Sequence, residues 1–234
     1  MSETAVREVL ERAQAWRALG RAFSPPRDAA KLGDDLAALR GRAQGPLAEA
    51  LTAALAALAD EASEQLVDVY DRLFGGRGGV PARESAYADP RVVAPAELAD
   101  VRGFLHAFGL AETGELADHV AAECELASVL ALKQAWALGQ GWDERAEIAR
   151  HAYERLLADH LLRWAPRFAA CVRASQAPAF YVASAAALAA LLESEAKRLG
   201  LASVSGDGLA PMPSSPDEIA CGGGCPAVCD SPGA

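Results

Sequence analysis

The sequence predicts an all-α fold, on three observations. Ala, Leu, Glu and Arg, all strong helix formers, dominate from Ser2 to about Leu199. Val and Ile are few and never alternate with polar residues over a strand length. Pro and Gly recur at spacings that cut the chain into helix-sized pieces. After about residue 200 the composition turns to Ser, Gly, Pro and Asp. The reading is therefore a single helical domain over residues 1–200 and a flexible, Cys-containing tail over 201–234, disordered in isolation.

The first helix is predicted from about Thr4 to Phe23, because Val6, Val9, Leu10, Ala13, Trp16 and Gly20 keep helical spacing and Ser24-Pro25-Pro26 ends it. A second covers about Asp28 to Gln44, broken by Gly45-Pro46, a third Leu47 to Asp60 and a fourth Ser63 to Phe74. The last two could be one bent helix. Gly75 to Glu84 reads as a Gly/Pro-rich loop, followed by Asp89-Pro90. A helix from about Ala96 to Phe108 is closed by Gly109 as a left-handed C-terminal residue. The longest helix is predicted from about Glu115 to Leu138, ended by Gly139 to Gly141. The next runs from about Asp143, a plausible N-cap, to Trp164. Pro166 then suits the first turn of a short helix, and Pro178 opens the last, which runs to Leu199 and Gly200.

The formal net charge of −10 excludes a nucleic-acid binder of the usual kind, since phosphate contacts need clustered Lys and Arg. It favours a basic partner through electrostatic steering. The start, Met1-Ser2-Glu3-Thr4-Ala5, has neither a basic n-region nor an apolar h-region, so a cytoplasmic location is expected. The apolar stretch Tyr181 to Leu192 stops at Glu193 and Glu195, short of the roughly 20 residues a membrane span needs. No membrane insertion is expected. No Ser-His-Asp order, HExxH, GxSxG or dinucleotide-binding pattern points to an enzyme.

The segment Glu115 to Leu126 carries the most chemistry. Placed on a helix, Leu116, Val120, Leu126, Ala127 and Leu130 form one apolar stripe. His119 and Glu123 fall inside it, four residues apart, while Asp118 and Glu125 lie on a neighbouring stripe. Polar groups on a buried face are costly unless paired. Either His119 and Glu123 satisfy each other or other core groups and only fix packing, or this face borders a groove in which Asp118, His119 and Glu123 hold a ligand. A guanidinium would suit the second case, because a carboxylate binds it bidentately. The His/Glu pair is a weak metal signal, even with His106, His151 or His160 joining it.

Gly75 to Gly79 could suggest a phosphate cradle, but the run leads into Val80-Pro81 and lacks the Gly-Lys-Ser/Thr ending of a P-loop, so a flexible connector is favoured. In the tail, Cys221, Cys225 and Cys229 are spaced four apart on a Gly/Pro backbone. They could wrap a metal or an iron–sulfur cluster with one further ligand, or stay as reduced thiols, which is favoured. Cys124 and Cys171 read as small core residues.

Several motifs occur together in order. They are Tyr70-x-x-Leu73-Phe74, then Pro81-x-x-Glu84-Ser85-x-Tyr87-x-Asp89-Pro90, and Phe108-Gly109-Leu110. Asp118-His119-x-x-x-Glu123-x-Glu125 and Asp159-His160-Leu161-x-x-Trp164-x-Pro166-x-Phe168 follow. The ordered set, over roughly residues 5 to 195, resembles the TorD/DmsD family of redox-enzyme maturation chaperones. The resemblance implies a TorD-like helical bundle and a chaperone, not a catalyst. Such a chaperone binds the twin-arginine leader, the apoprotein or both, of the catalytic subunit of a molybdopterin oxidoreductase, and assists cofactor insertion and assembly before export. It implies a peptide site of Asp118, His119 and Glu123, with Tyr70, Phe74, Glu84, Ser85 and Tyr87 from the loop and its flanks, and Trp164 and Pro166 near the last helices. It implies no resident cofactor, and a monomer or a domain-exchanged dimer. Arg83 stands where the family often carries an aromatic residue. The alternative is a metal or iron–sulfur carrier working through the Cys tail.

Overall fold

A computed structural model of the chain describes residues 3–60, 63–75, 79–87, 96–112 and 114–201, without the side chains of 63–65. Among these residues the regular structure is helical. The helices are α1 (Glu3–Ala22), α2 (Ala29–Arg40), α3 (Gly45–Asp60), α4 (Ser63–Phe74), α5 (Ala96–Ala107), α6 (Val120–Gly139), α7 (Asp143–Leu156), α8 (Leu162–Ala174) and α9 (Ala179–Leu199). A single 3₁₀ turn covers Glu84–Ala86, and a π turn, Leu157–Leu161, joins α7 to α8 without a break.

The core forms around α6. Its buried residues, from Val120 and Ala121 through Leu126, Ala127 and Leu130 to Ala137, cover most of the helix and leave exposed a stripe through Glu125, Leu132 and Trp136. Helix α1 lies along it, and their closest approach is at Gly20. A methyl group built there would stand 3.2 Å from the Ala121 carbonyl oxygen and 3.2 Å from Cys124 Cβ. Ser128 Oγ donates to the Ala13 carbonyl at 2.7 Å across the same seam. Helices α6 and α7 form an antiparallel hairpin that turns at Gly141, whose φ of +71° a side chain would disfavour. Helix α9 packs on α3 and α8.

Three helices are also tied by a buried polar chain. Trp16 Nε1 donates to Tyr153 Oη at 2.7 Å, Tyr153 Oη donates to Glu195 at 2.9 Å, and Arg198 closes on the same carboxylate at 2.6 Å. Burying these groups is tolerable because each has a partner. Glu195 is thus paired inside the last helix, which runs to Leu199 as the sequence predicts. Helix α9 is 21 residues long and, against the sequence reading, long and apolar enough by length and composition to cross a membrane, but 61% of its most apolar window is buried in the fold. It is built as a core helix.

Three further boundaries differ from the sequence reading. The second helix ends at Arg40, before the predicted Gln44. Asp143 is the first helical residue of α7, with Trp142 at the cap. Pro166 sits inside α8, where it removes the bond to the Leu162 carbonyl, and the π turn ends immediately before that residue. Gly109, at φ +68°, follows α5 as expected.

The α1–α6 seam yields a stability test. Gly20→Val should cost about 1–3 kcal/mol by overpacking. Gly33→Ala in α2, where the new methyl would meet only Leu58 Cδ2 at 3.7 Å, should be neutral or stabilise by up to about 1 kcal/mol. Urea unfolding of both variants measures the contrast; equal effects would mean that the seam tolerates a larger side chain.

Candidate functional site

The sequence expectation of one helix through Glu115 is corrected by the structure. The chain turns at Gly114 (φ +87°), and helix α6 begins only at Val120. His119 is its N-cap: the imidazole Nδ1 accepts from the Ala121 N–H at 3.2 Å. A short extended strap, residues 79–87, explains why the helix starts here. Val80, Ala82 and Glu84 are buried while Pro81 and Arg83 are exposed, the alternation of an extended segment. The Val120 N–H donates to Ala82 O at 2.9 Å, the Glu84 N–H donates to Asp118 O at 2.9 Å, and Arg83 and His119 form an isolated antiparallel bridge. Backbone groups that would have entered a longer helix are used by the strap instead.

The strap and α6 bring together most of the residues singled out in the sequence. The Ser85 N–H approaches Asp118 Oδ2 at 3.4 Å. Trp164 Nε1 on α8 donates to Glu123 Oε2 at 3.1 Å. Rings connect the rest, with Tyr70 to Phe74 at 5.3 Å, Phe74 to Phe168 at 5.9 Å, Phe168 to Trp164 at 5.8 Å and Trp164 to Tyr87 at 5.5 Å between centroids. Tyr87 Oη donates back to Pro81 O at 2.8 Å, and Tyr70 Oη reaches Glu115 at 3.1 Å. Pro166 is half-buried in α8 and makes no polar contact with this group.

An exposed acidic helix face beside an open channel is not what the structure contains. Asp118, His119 and Glu123 are only 1%, 4% and 0% exposed, and they line none of the described cavities. The first turn of α6 is enclosed because the helix is surrounded and the strap covers its start. His119 and Glu123 bond to other buried core groups and not to each other: His119 caps the helix and Glu123 accepts from Trp164. In this cluster two carboxylate oxygens, Asp118 Oδ1 and Glu123 Oε1, are buried without a hydrogen-bond partner, as is Glu97 Oε2 on α5.

Sequence reasoning underweighted His160 and missed Asp100. The π turn aims His160 into the cluster, where Nδ1 lies 2.7 Å from Glu84 Oε2 and Nε2 lies 3.2 Å from Asp100 Oδ2. A neutral imidazole has only one N–H, so carboxylates at both nitrogens favour the imidazolium. Burial lowers the pKa of His160, but the bond and charge of Glu84, with Asp100, outweigh it and raise it. His119 is shifted the other way, chiefly by burial. Burial, then the charges of Glu84 and Asp118, hold the Glu123 carboxyl well above the usual range against the opposing Trp164 bond. The motif Asp159-His160-Leu161 marked His160; Asp100, half-way along a largely exposed helix, carried no signal.

Among the described residues no three His, Cys, Asp or Glu side chains are grouped to hold a metal. Cys221, Cys225 and Cys229 lie outside the described residues. Cys124 is buried, and Cys171 is half-buried.

Two linkages follow. A carboxyl whose folded pKa is raised adds stability below its unfolded pKa and loses it as pH rises. Glu123→Gln keeps an acceptor for Trp164 and cannot ionise, so it should raise Tm at pH 7, with the gain shrinking toward pH 4. No gain at pH 7 would mean that Glu123 ionises without cost. The raised His160 pKa likewise stabilises below about pH 6.5, the ordinary histidine value, and is lost above the folded value. His160→Ala strands the Glu84 carboxylate and should cost about 3–5 kcal/mol at pH 6, largely restored by adding Glu84→Gln. Denaturant titration reads both; no restoration would place the loss in packing.

The sequence model of one protein family, described as nitrate reductase delta subunit, matches residues 34–170. That is more than half of the chain, and it holds the strap, α5, the start of α6 and the π turn with His160 and Trp164. No curated protein matches the chain. Members of this family are maturation chaperones that act with the catalytic subunit of a molybdoenzyme. By this match, and with the helical fold and buried cluster just described, the chain belongs to the nitrate reductase delta subunit family of redox-enzyme maturation chaperones.

Proposed function

We propose that the protein is a cytoplasmic chaperone that binds an arginine-bearing segment of a molybdopterin oxidoreductase and holds the apoenzyme while its cofactor is inserted. The segment would be the twin-arginine leader or the apoprotein chain behind it. The observation that carries this reading is the pair of unpartnered buried oxygens, Asp118 Oδ1 and Glu123 Oε1, behind a strap. Buried acceptors are rarely left unpaired, because each costs about 1–3 kcal/mol. A guanidinium offers five N–H donors in a fixed fork and would satisfy both.

Displacing the strap exposes the rest of what such a guest needs. The strap is fastened by the Ala82 and Glu84 backbone bonds and by the Glu84–His160 pair. Its last residue, Tyr87, lies against Trp164, and lifting it would bare that indole for the apolar half of a leader. Arg167, whose guanidinium stands 5.6 Å from the Tyr87 ring, shows that this ring already receives a guanidinium face. Binding must overcome the cost of lifting the strap and ordering the peptide. The charge of −10 would draw a basic segment toward the molecule. The work is binding, with no covalent step.

Isothermal titration with a synthetic leader peptide tests the proposal. Glu123→Gln should weaken binding about ten- to a hundredfold, the worth of a charge-assisted hydrogen bond of ~1.5–3 kcal/mol. Changing the two leader arginines to lysine should cost a similar factor, since lysine lacks the fork. Unchanged affinity in both experiments, with helicity intact, would remove the buried carboxylates from the binding site.

A further inference from the structure

Among the described residues, the four most exposed large apolar side chains gather on the α6–α7 hairpin. Leu132, Trp136, Trp142 and Ile148 are 51%, 62%, 42% and 55% exposed. The two indoles stand 5.9 Å apart and tilted by 51°, and with Phe108 they wall a groove of about 260 Å³. The charged residues lining it are Lys133 and Arg145, both cations, in a chain that is otherwise strongly acidic. The Arg145 guanidinium lies 4.7 Å from the Trp142 ring centroid. An aromatic slot with a cationic rim suits an extended apolar segment that carries carboxylates. It does not suit the arginine-bearing guest proposed above, so this surface has another occupant.

We infer that the groove is a docking site for this chain's own segment Pro211-Met212-Pro213-Ser214-Ser215-Pro216-Asp217-Glu218, bound in cis. Three observations select it. First, Pro213-x-x-Pro216 is a PxxP sequence, and such segments bind aromatic grooves because the polyproline II conformation is already formed and costs little entropy. Second, Asp217 and Glu218 follow directly, and residues 202–234 contain Asp207, Asp217, Glu218 and Asp230 but neither Lys nor Arg. Carboxylates next to the prolines match Lys133 and Arg145 at the rim. Third, the segment starts in the right place. Leu201 lines a cavity with Arg150, His151, Glu154 and Arg155 of α7. Ile148, His151 and Arg155 are exposed at i, i+3 and i+7, a ridge along α7 that joins this cavity to the groove. From Arg155 to Arg145 is about 15 Å along the helix, while the ten residues from Leu201 to Pro211 reach up to ~33 Å extended.

The test uses the full chain and acrylamide quenching of tryptophan fluorescence. Trp16 and Trp164 are buried, so quenching reports Trp136 and Trp142. A short tether gives an effective concentration on the order of millimolar, so a segment with a dissociation constant well below that is largely docked, and releasing it should raise the quenching constant about twofold. Two full-length variants should show this rise: Asp217→Lys with Glu218→Lys, and Pro213→Gly with Pro216→Gly. Adding a synthetic peptide of residues 209–220 to the second variant should restore protection. Identical quenching in the native chain and both variants overturns the inference. Protection that grows with protein concentration also overturns it, because the occupant would then be a second copy.

Discussion

The architecture depends on the enclosure of α6. A helix packed by α1 along one side and α7 along another keeps only a narrow exposed stripe, Glu125, Leu132 and Trp136, so what its first turn carries on the other sides must be accommodated inside. That turn carries Glu123, with Asp118 and His119 just before it. Burial of an ionised carboxylate is expensive, and the site answers in three ways. Glu123 is held toward its neutral form, Trp164 supplies one hydrogen bond, and the positive end of the α6 dipole lies next to the carboxyl. None of these satisfies the second oxygen.

The strap is the other half of that arrangement. Its alternating burial, Val80 and Ala82 and Glu84 in, Pro81 and Arg83 out, makes it a short substitute for a sheet partner on the turn before α6. What fastens it is electrostatic as much as steric. His160, presented by a π turn, sits between Glu84 and Asp100 and is favoured as the imidazolium, while His119 a few residues from Glu123 accepts a backbone N–H and is favoured neutral. Two histidines of one small cluster are thus set to opposite states by their partners, the pattern by which folds place a charge where it is needed.

Two buried carboxylate oxygens without a partner and a π turn meet in this cluster, costs that a protein selected for stability alone would shed. Under the function proposed above these costs have a reason, because an arginine of the client chain would supply the missing donors. The aromatic series from Tyr70 through Phe74, Phe168 and Trp164 to Tyr87 connects the cluster to the central core, so the site rests on packed rings and not on a loop.

The helical fold was legible in the residues because period and punctuation are local properties. Pro25-Pro26, Gly109, Gly141 and Pro178 end or open helices wherever they stand, since their backbone limits act within one turn. The grouping of Glu84, Asp118, Glu123 and Trp164 was legible in part, as an ordered set of motifs. What the residues did not contain was where α6 starts and which way its first turn faces. Helical spacing is satisfied equally well from Glu115 or from Val120, and the choice is made by hydrogen bonds to the strap, more than thirty residues earlier in the chain. The pairing of His160 with Glu84 and Asp100 spans 76 and 60 residues, a separation at which only the packing of helices decides which side chains meet.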